Sequence, residues 1–142
     1  RECRGNGFAW NNAMVTCNKA EEFAQALALY DRMRNGACAI NEHSVAAAIV
    51  ACRGSGAGWQ RAQEIFDGSR EVTRSSSMCY AALMDALSDG EQWALVLRYY
   101  DERTAAGLAP TAHTYERAIE ACDRVDADRA MVLFEEMKEK GL

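Results

Sequence analysis

Proline is almost absent from this sequence, and it contains no long apolar run. One proline, Pro110, stands among 142 residues, against 26 alanines. Because alanine is the best helix former and is depleted in strands, this balance favours helices. The longest unbroken apolar run is residues 45–52, whereas a helix that crosses a bilayer needs about 18 apolar residues. The composition therefore predicts an all-α globular chain without membrane insertion.

Cysteine patterns that bind metal are also missing. The six cysteines, at positions 3, 17, 38, 52, 79 and 122, include no C-x-x-C pair and no Cys/His cluster with zinc-ligand spacing. Neither His43 nor His113 has a cysteine or a second histidine three or four residues away. The sequence therefore predicts no metal site, exposed histidines, and cysteines that serve as small core residues.

Basic residues are outnumbered by acidic ones. The 16 Lys and Arg against 21 Asp and Glu give a net charge of −5, which argues against a protein that holds nucleic acid chiefly through a basic coat. No nucleophile with a matching base and no carboxylate pair stands out. The glycine-rich stretch 54–58 follows a helical pattern rather than a strand, so it predicts a turn and not a phosphate-binding loop. These absences predict a non-catalytic chain without a cofactor or a small-molecule substrate.

The sequence does contain an internal repeat of 35 residues. Trp10, Val45, Tyr80 and Tyr115 are separated by that step. The residues three, four and seven positions after each of them follow the same step, and those offsets mark one face of an α-helix. The four stripes are Trp10, Ala13, Met14, Cys17; Val45, Ala48, Ile49, Cys52; Tyr80, Leu83, Met84, Leu87; and Tyr115, Ala118, Ile119, Cys122. Each stripe predicts the buried face of the first helix of one unit.

A second helical stripe follows each first one. The second stripes are Phe23, Ala26, Leu27, Tyr30, Met33; Trp59, Ala62, Phe66; Trp93, Val96, Tyr100; and Ala130, Phe134, Met137. Their spacing varies by one residue, and we place the extra residue in the turn 54–58. The predicted units are residues 7–41, 42–76, 77–111 and 112–142, with residues 1–6 as the tail of a preceding unit. Because one two-helix unit cannot bury its apolar face alone, the pattern predicts a stacked α-solenoid.

Several segments resemble pentatricopeptide repeats. Trp10-Asn11 begins a first helix, residues 26–30 read Ala-Leu-Ala-Leu-Tyr, and Met33 follows them. Residues 133–142 read Leu-Phe-Glu-Glu-Met-Lys-Glu-Lys-Gly-Leu, and residues 107–111 resemble the turn that closes such a repeat. The resemblance covers residues 7–142. It implies a right-handed solenoid whose first helices bind single-stranded RNA, one base per unit, in a chloroplast or mitochondrion.

The resemblance also implies which residues read the bases: the residue after the first-helix aromatic and the last residue of the unit. Carried onto this sequence, the pairs are Asn11 with Asn41, Ala46 with Ser76, and Ala81 with Thr111, while Glu116 has no partner. The pair of asparagines is similar to pairs that favour pyrimidines, because an amide offers both donors and an acceptor. The alanines and Glu116 depart from a working pattern.

The last residues of the units also predict helix caps. Asn6, Asn41, Ser76 and Thr111 precede the four first helices, and all are favoured N-cap types. We expect each to accept a hydrogen bond from a backbone amide of the following turn, whether or not it also contacts a base.

Charges at the ends of the first helices leave two functions open. The candidate phosphate-binding residues are Lys19, Arg53 and Arg124, against the acidic Asp85, Asp89, Glu116, Glu120 and Asp123. Three neutralised phosphates predict a shallow salt dependence, with a slope of about −2. The favoured function is single-stranded RNA binding in organelle RNA metabolism or translation. The alternative is a protein–protein interaction scaffold or accessory subunit of a large assembly, with degenerate reading positions.

Overall fold

The chain is all-α, as the composition predicts. A computed structural model describes residues 7–37, 39–56 and 58–142, and over these residues the backbone forms helices and no strand. The α-helices are α1 (Gly7–Lys19), α2 (Phe23–Arg32), α3 (Glu42–Ser55), α4 (Gly58–Asp67), α5 (Arg70–Thr73), α6 (Ser77–Asp89), α7 (Trp93–Ala105), α8 (Ala112–Val125) and α9 (Ala127–Glu139). Within those ranges none of the helices combines the length and the apolarity that crossing a membrane requires.

Helices begin at Gly7, Glu42, Ser77 and Ala112, which are 35 residues apart and are the first residues of the four predicted units. These first helices, α1, α3, α6 and α8, pack against one another in chain order. The second helices α2, α4, α7 and α9 each pack against the first helix of their own unit. The contacts are therefore between neighbours in sequence, as in a stack of hairpins.

In the first and second units, the second helix is not a single regular helix. A π-helical segment, Met33–Ala37, continues α2 and contains Gly36 at a φ of 107°. In the second unit the helix ends at Asp67, and the short α5 follows. The turn predicted at 54–58 is also shorter than expected, because α3 runs through Ser55 and ends at Gly56 in the left-handed conformation. Glycine adopts these positive φ values without steric cost, so both positions end a regular helix.

The first-helix stripes form the core of the middle units. Val45, Ala48, Ile49 and Cys52 are fully buried. Their counterparts in α6 are equally inaccessible, and burial of each large side chain stabilises the fold by about 1.5–3 kcal/mol. The second stripe of the last unit is an exception, because Phe134 is 43% exposed. No described helix covers that side of α9.

Two glycines allow neighbouring units to approach closely. A Cβ atom built on Gly54 would lie 2.4 Å from the ring of Phe23, and one built on Gly90 would lie 2.2 Å from the ring of Trp59. Each aromatic residue lies in the first turn of a second helix, and each glycine lies at the end of the next unit's first helix. The same contact therefore recurs at two successive junctions, and a side chain at either glycine would force the aromatic ring to move.

Three of the four predicted caps are confirmed. Asn41, Ser76 and Thr111 each accept a hydrogen bond from the backbone amide three residues later. At Asn41 and Thr111 the backbone amide of the cap also donates to the side-chain hydroxyl of that third residue, which completes a capping box. Asn6 lies outside the described residues.

The buried cysteines lead to a labelling prediction. Burial raises the pKa of the Cys52 thiol to about 11, and Cys122 is also fully buried, whereas Cys17 is partly exposed. Because the thiolate is the reactive form, we expect iodoacetamide at pH 8 to modify Cys17 well before Cys52 in the native protein. Peptide mass spectrometry after timed labelling measures this order, and equal rates at the two sites would contradict the buried position of Cys52.

Candidate nucleic-acid interface

The first pair of predicted base-reading residues meets in space. Asn11 lies in α1 and Asn41 caps α3, and the Nδ2 of Asn11 donates a hydrogen bond of 3.3 Å to the Oδ1 of Asn41. That oxygen also accepts from the Ser44 backbone amide at 3.0 Å. The Nδ2 of Asn41 donates to no group among the described residues, and the residue is exposed. The cap thus uses the amide oxygen of Asn41 and leaves its NH2 group facing solvent.

The other two caps use their polar groups within the chain. The hydroxyl of Ser76 accepts from the Cys79 amide and donates to a carboxylate oxygen of Glu42 at 2.7 Å. Thr111 is engaged with Thr114 in the capping box of α8. A hydroxyl has one donor, whereas an amide keeps its NH2 group when its oxygen accepts. Asn41 is therefore the capping residue with a donor left for a ligand.

A groove of about 440 Å³ lies on the first-helix face, the surface formed by α1, α3, α6 and α8. It is lined by Val15, Asn18, Lys19, His43, Ala46, Ala47, Val50 and Met78. Most of its lining is apolar, with an imidazole, an amide and an ammonium group at its edges. This volume is within the range typical of small-ligand sites, and the apolar lining suits contact with an aromatic ring.

The three candidate phosphate-binding cations have different surroundings. The Nε of Arg53 donates to a carboxylate oxygen of Asp89 at 2.6 Å, and its Nη1 lies 3.7 Å from Asp85. The guanidinium of Arg124 stacks on the ring of Trp93 at 5.0 Å. Lys19 is exposed and has no ion pair within the described residues. Of these three candidates, only Lys19 has neither an ion pair nor a ring contact within the described residues, and it lines the groove.

Asp85 is the centre of a charge network between α3, α6 and α8. Its carboxylate accepts hydrogen bonds from the Nε2 of His113 at 2.7 Å and from the Nε of Arg117 at 2.9 Å. The hydrogen bond from Arg117 to Asp85 raises the pKa of that guanidinium, which also donates to Glu120. His43 is exposed, as predicted, whereas His113 is only partly exposed because its ring lies against Asp85. The carboxylate of Asp85 is therefore engaged by neighbouring side chains of the protein.

Nothing in the sequence pattern singles out Arg117 for its role in this network. The paired residues are 28 positions apart for His113 and Asp85, 32 for Arg117 and Asp85, and 36 for Arg53 and Asp89. The repeat length of 35 lies within this range. A search for opposite charges about one repeat apart would have found Arg53 with Asp89 and Arg117 with Asp85. Such a search would not have distinguished these two pairs from other opposite charges on the helices.

Within the part of the chain that the structure describes, His, Cys, Asp and Glu side chains form no group of three that could hold a metal ion. The chain matches no protein-family model and no curated protein.

Proposed function

We propose that this chain is a non-catalytic helical-repeat module that binds single-stranded RNA on its first-helix face. The observation that carries the proposal is the contact between Asn11 and Asn41 beside a groove lined by His43 and Lys19. An exposed amide NH2 group can donate to a base edge, and a nearby ammonium group can neutralise a phosphate. The resemblance to pentatricopeptide repeats adds the right-handed solenoid and the organellar location to the proposal.

The charge distribution limits this site to the α1–α3 end. Beyond it, the carboxylates of Asp85 and Asp89 engage Arg53, and exposed Glu116 and Asp123 would repel a phosphate backbone. We therefore expect one or two nucleotides to contact the protein rather than one base per unit. With Lys19 as the one available cation, the predicted slope of log K against log salt is about −0.7, instead of about −2 for three cations.

Fluorescence anisotropy with short U-, C- and A-homopolymers at low and moderate salt tests the proposal. We expect the pyrimidine RNAs to bind more tightly than oligo(A), with the shallow salt slope above. In Asn41→Thr the cap is kept, as Thr111 shows in α8, but the NH2 donor is lost. We expect that variant to bind oligo(U) about fivefold more weakly, which corresponds to one hydrogen bond of about 1 kcal/mol.

A matched control separates base contact from capping. Thr111→Ala removes a capping box as Asn41→Ala would, at a cost of about 0.5–2 kcal/mol in the free energy of unfolding, but it lies away from the groove. We expect Thr111→Ala to leave RNA affinity unchanged. A pyrimidine preference that survives in Asn41→Thr contradicts the assigned reader, and absence of binding at micromolar protein in low salt contradicts RNA binding itself.

A protein-binding scaffold is the second candidate, and the acidic surface of α8 favours it. Glu116 and Asp123 are exposed and form no ion pair within the described residues, so they suit a basic partner. Reversing both to lysine should release such a partner in a pull-down while leaving the Asp85 network intact. Retention of every partner, together with pyrimidine binding at the groove, would count against the scaffold.

A further inference from the structure

The segment that follows α2 contains an asparagine–glycine pair, Asn35–Gly36. Both residues are exposed, and Gly36 has a φ of 107°, so the helical conformation that continues from α2 is interrupted there. A Cβ atom built on Gly36 would have no heavy atom within 4 Å apart from its chain neighbours. The amide side chain of Asn35 and the peptide bond after it therefore lie at the surface, with open space around the glycine.

An asparagine side chain can react with the backbone that follows it. The backbone nitrogen of the next residue attacks Cγ, the Cγ–Nδ2 bond breaks, and the leaving amide nitrogen takes the proton of the attacking nitrogen and departs as ammonia. Water then opens the cyclic imide at either of its carbonyl groups, which gives aspartate or isoaspartate. A side chain on the next residue hinders the attack, whereas glycine has no Cβ and leaves the backbone free to turn.

The other asparagines that the structure describes are less free to react. Asn11, Asn12 and Asn18 lie within α1, and each is followed by a residue with a side chain. The regular helix fixes the backbone around them, and the Nδ2 of Asn18 also donates to a backbone carbonyl oxygen of α3 at 3.0 Å. Asn41 is held by its capping box. Among the described asparagines, Asn35 alone combines an exposed side chain with a following glycine.

We propose that Asn35 is a site of spontaneous deamidation in the native protein, with water as the co-reactant. The product carries a carboxylate where the sequence has a neutral amide, so one added negative charge takes the formal net charge from −5 to −6. In the isoaspartate product the chain runs through the side-chain carbon, which lengthens the backbone at this point. The site is separate from the RNA groove, and the proposal does not depend on RNA binding.

Incubation of the native protein at pH 8, followed by tryptic peptide mass spectrometry, tests the proposal. Cleavage after Arg34 and Arg53 places Asn35 and Asn41 on one peptide, and fragment ions distinguish the two residues. We expect the mass at Asn35 to rise by the difference between a hydroxyl and an amino group, while Asn41 stays unchanged. A sample that was not incubated corrects for reaction during digestion. Asn35→Gln is the matched control, because its longer side chain would have to close a less readily formed ring, and we expect it to keep its mass.

A guanidinium-unfolded sample separates the chemistry of the pair from the effect of the fold. We expect Asn35 to react in both samples, and Asn11, Asn12 and Asn18 to remain unchanged in the native one. The proposal is overturned if Asn35 keeps its amide in the native protein while the unfolded chain loses it, or if another described asparagine reacts as fast in the native protein. Asn6 also precedes a glycine, but it lies outside the described residues and on another tryptic peptide, so it does not enter this comparison.

Discussion

Replacing Phe66 with alanine is expected to lower the free energy of unfolding by about 3–5 kcal/mol, the cost of removing a fully buried aromatic side chain. Phe66 in α4 has no exposed surface. Its ring meets those of Tyr80 and Tyr99 edge-on, with centroids 4.9 and 5.5 Å away. These partners belong to α6 and α7, so the substitution weakens the junction between the second and third units. In a stack held by contacts between neighbouring units, weakening one junction also allows the units on its two sides to unfold separately.

Urea unfolding followed by circular dichroism measures this effect, and the chain provides its own control. Phe134 occupies the equivalent position of the last unit but is 43% exposed, so Phe134→Ala should cost only about 1 kcal/mol. We further expect the Phe66→Ala transition to broaden or separate into two steps. Equal costs at the two positions would mean that stability does not come from contacts between units.

The second large effect is a gain in stability, and it concerns Arg103. This residue in α7 is fully buried, yet its Nε and Nη1 have no hydrogen-bond partner and no carboxylate lies within ion-pair distance among the described residues. Its Nη2 donates to the hydroxyl of Ser77 at 2.9 Å and to the carbonyl oxygen of Ala109 at 3.3 Å. Burial lowers the pKa of this guanidinium, which means that the protein environment disfavours its charge.

Arg103→Met is therefore expected to raise the free energy of unfolding by about 1–2 kcal/mol, because apolar replacement of a buried charge is often stabilising. Methionine already stands at the equivalent position in two other units, as Met33 and Met137. Ser77 and Ala109 are partly or fully exposed, so both can hydrogen-bond to water after the change. Arg103→Lys keeps a buried charge and should give no gain. A loss of more than about 1 kcal/mol in Arg103→Met would show that Arg103 is required for the fold.

Helix positions and caps could be predicted because they depend on local spacing. A step of 35 residues places the first helices at Gly7, Glu42, Ser77 and Ala112, and capping requires only a suitable side chain before a helix start. The contact between Asn11 and Asn41 is consistent with the same register, since both positions were paired on the resemblance to known repeats.

The charge network and the buried arginine could not be predicted in this way. Whether Arg53 faces a phosphate or Asp89 depends on the distance between helices, which the sequence pattern does not specify. Arg103 lies three residues after Tyr100, as Met33 lies three residues after Tyr30. The repeat alignment alone therefore predicts that Arg103 is buried. That alignment conflicts with the usual exposure of arginine, so the burial of Arg103 does not follow from the sequence.

The most direct test of the proposed function is NMR observation of the asparagine side-chain NH2 groups during titration with oligo(U). We expect the Nδ2 resonances of Asn41 to shift first, together with signals of His43 and Lys19 around the groove. Signals from Asp85 and Arg117 should change little, because these residues remain bound to each other. Shifts centred on α8 and α9, or no change at Asn41 when RNA is bound, would contradict it.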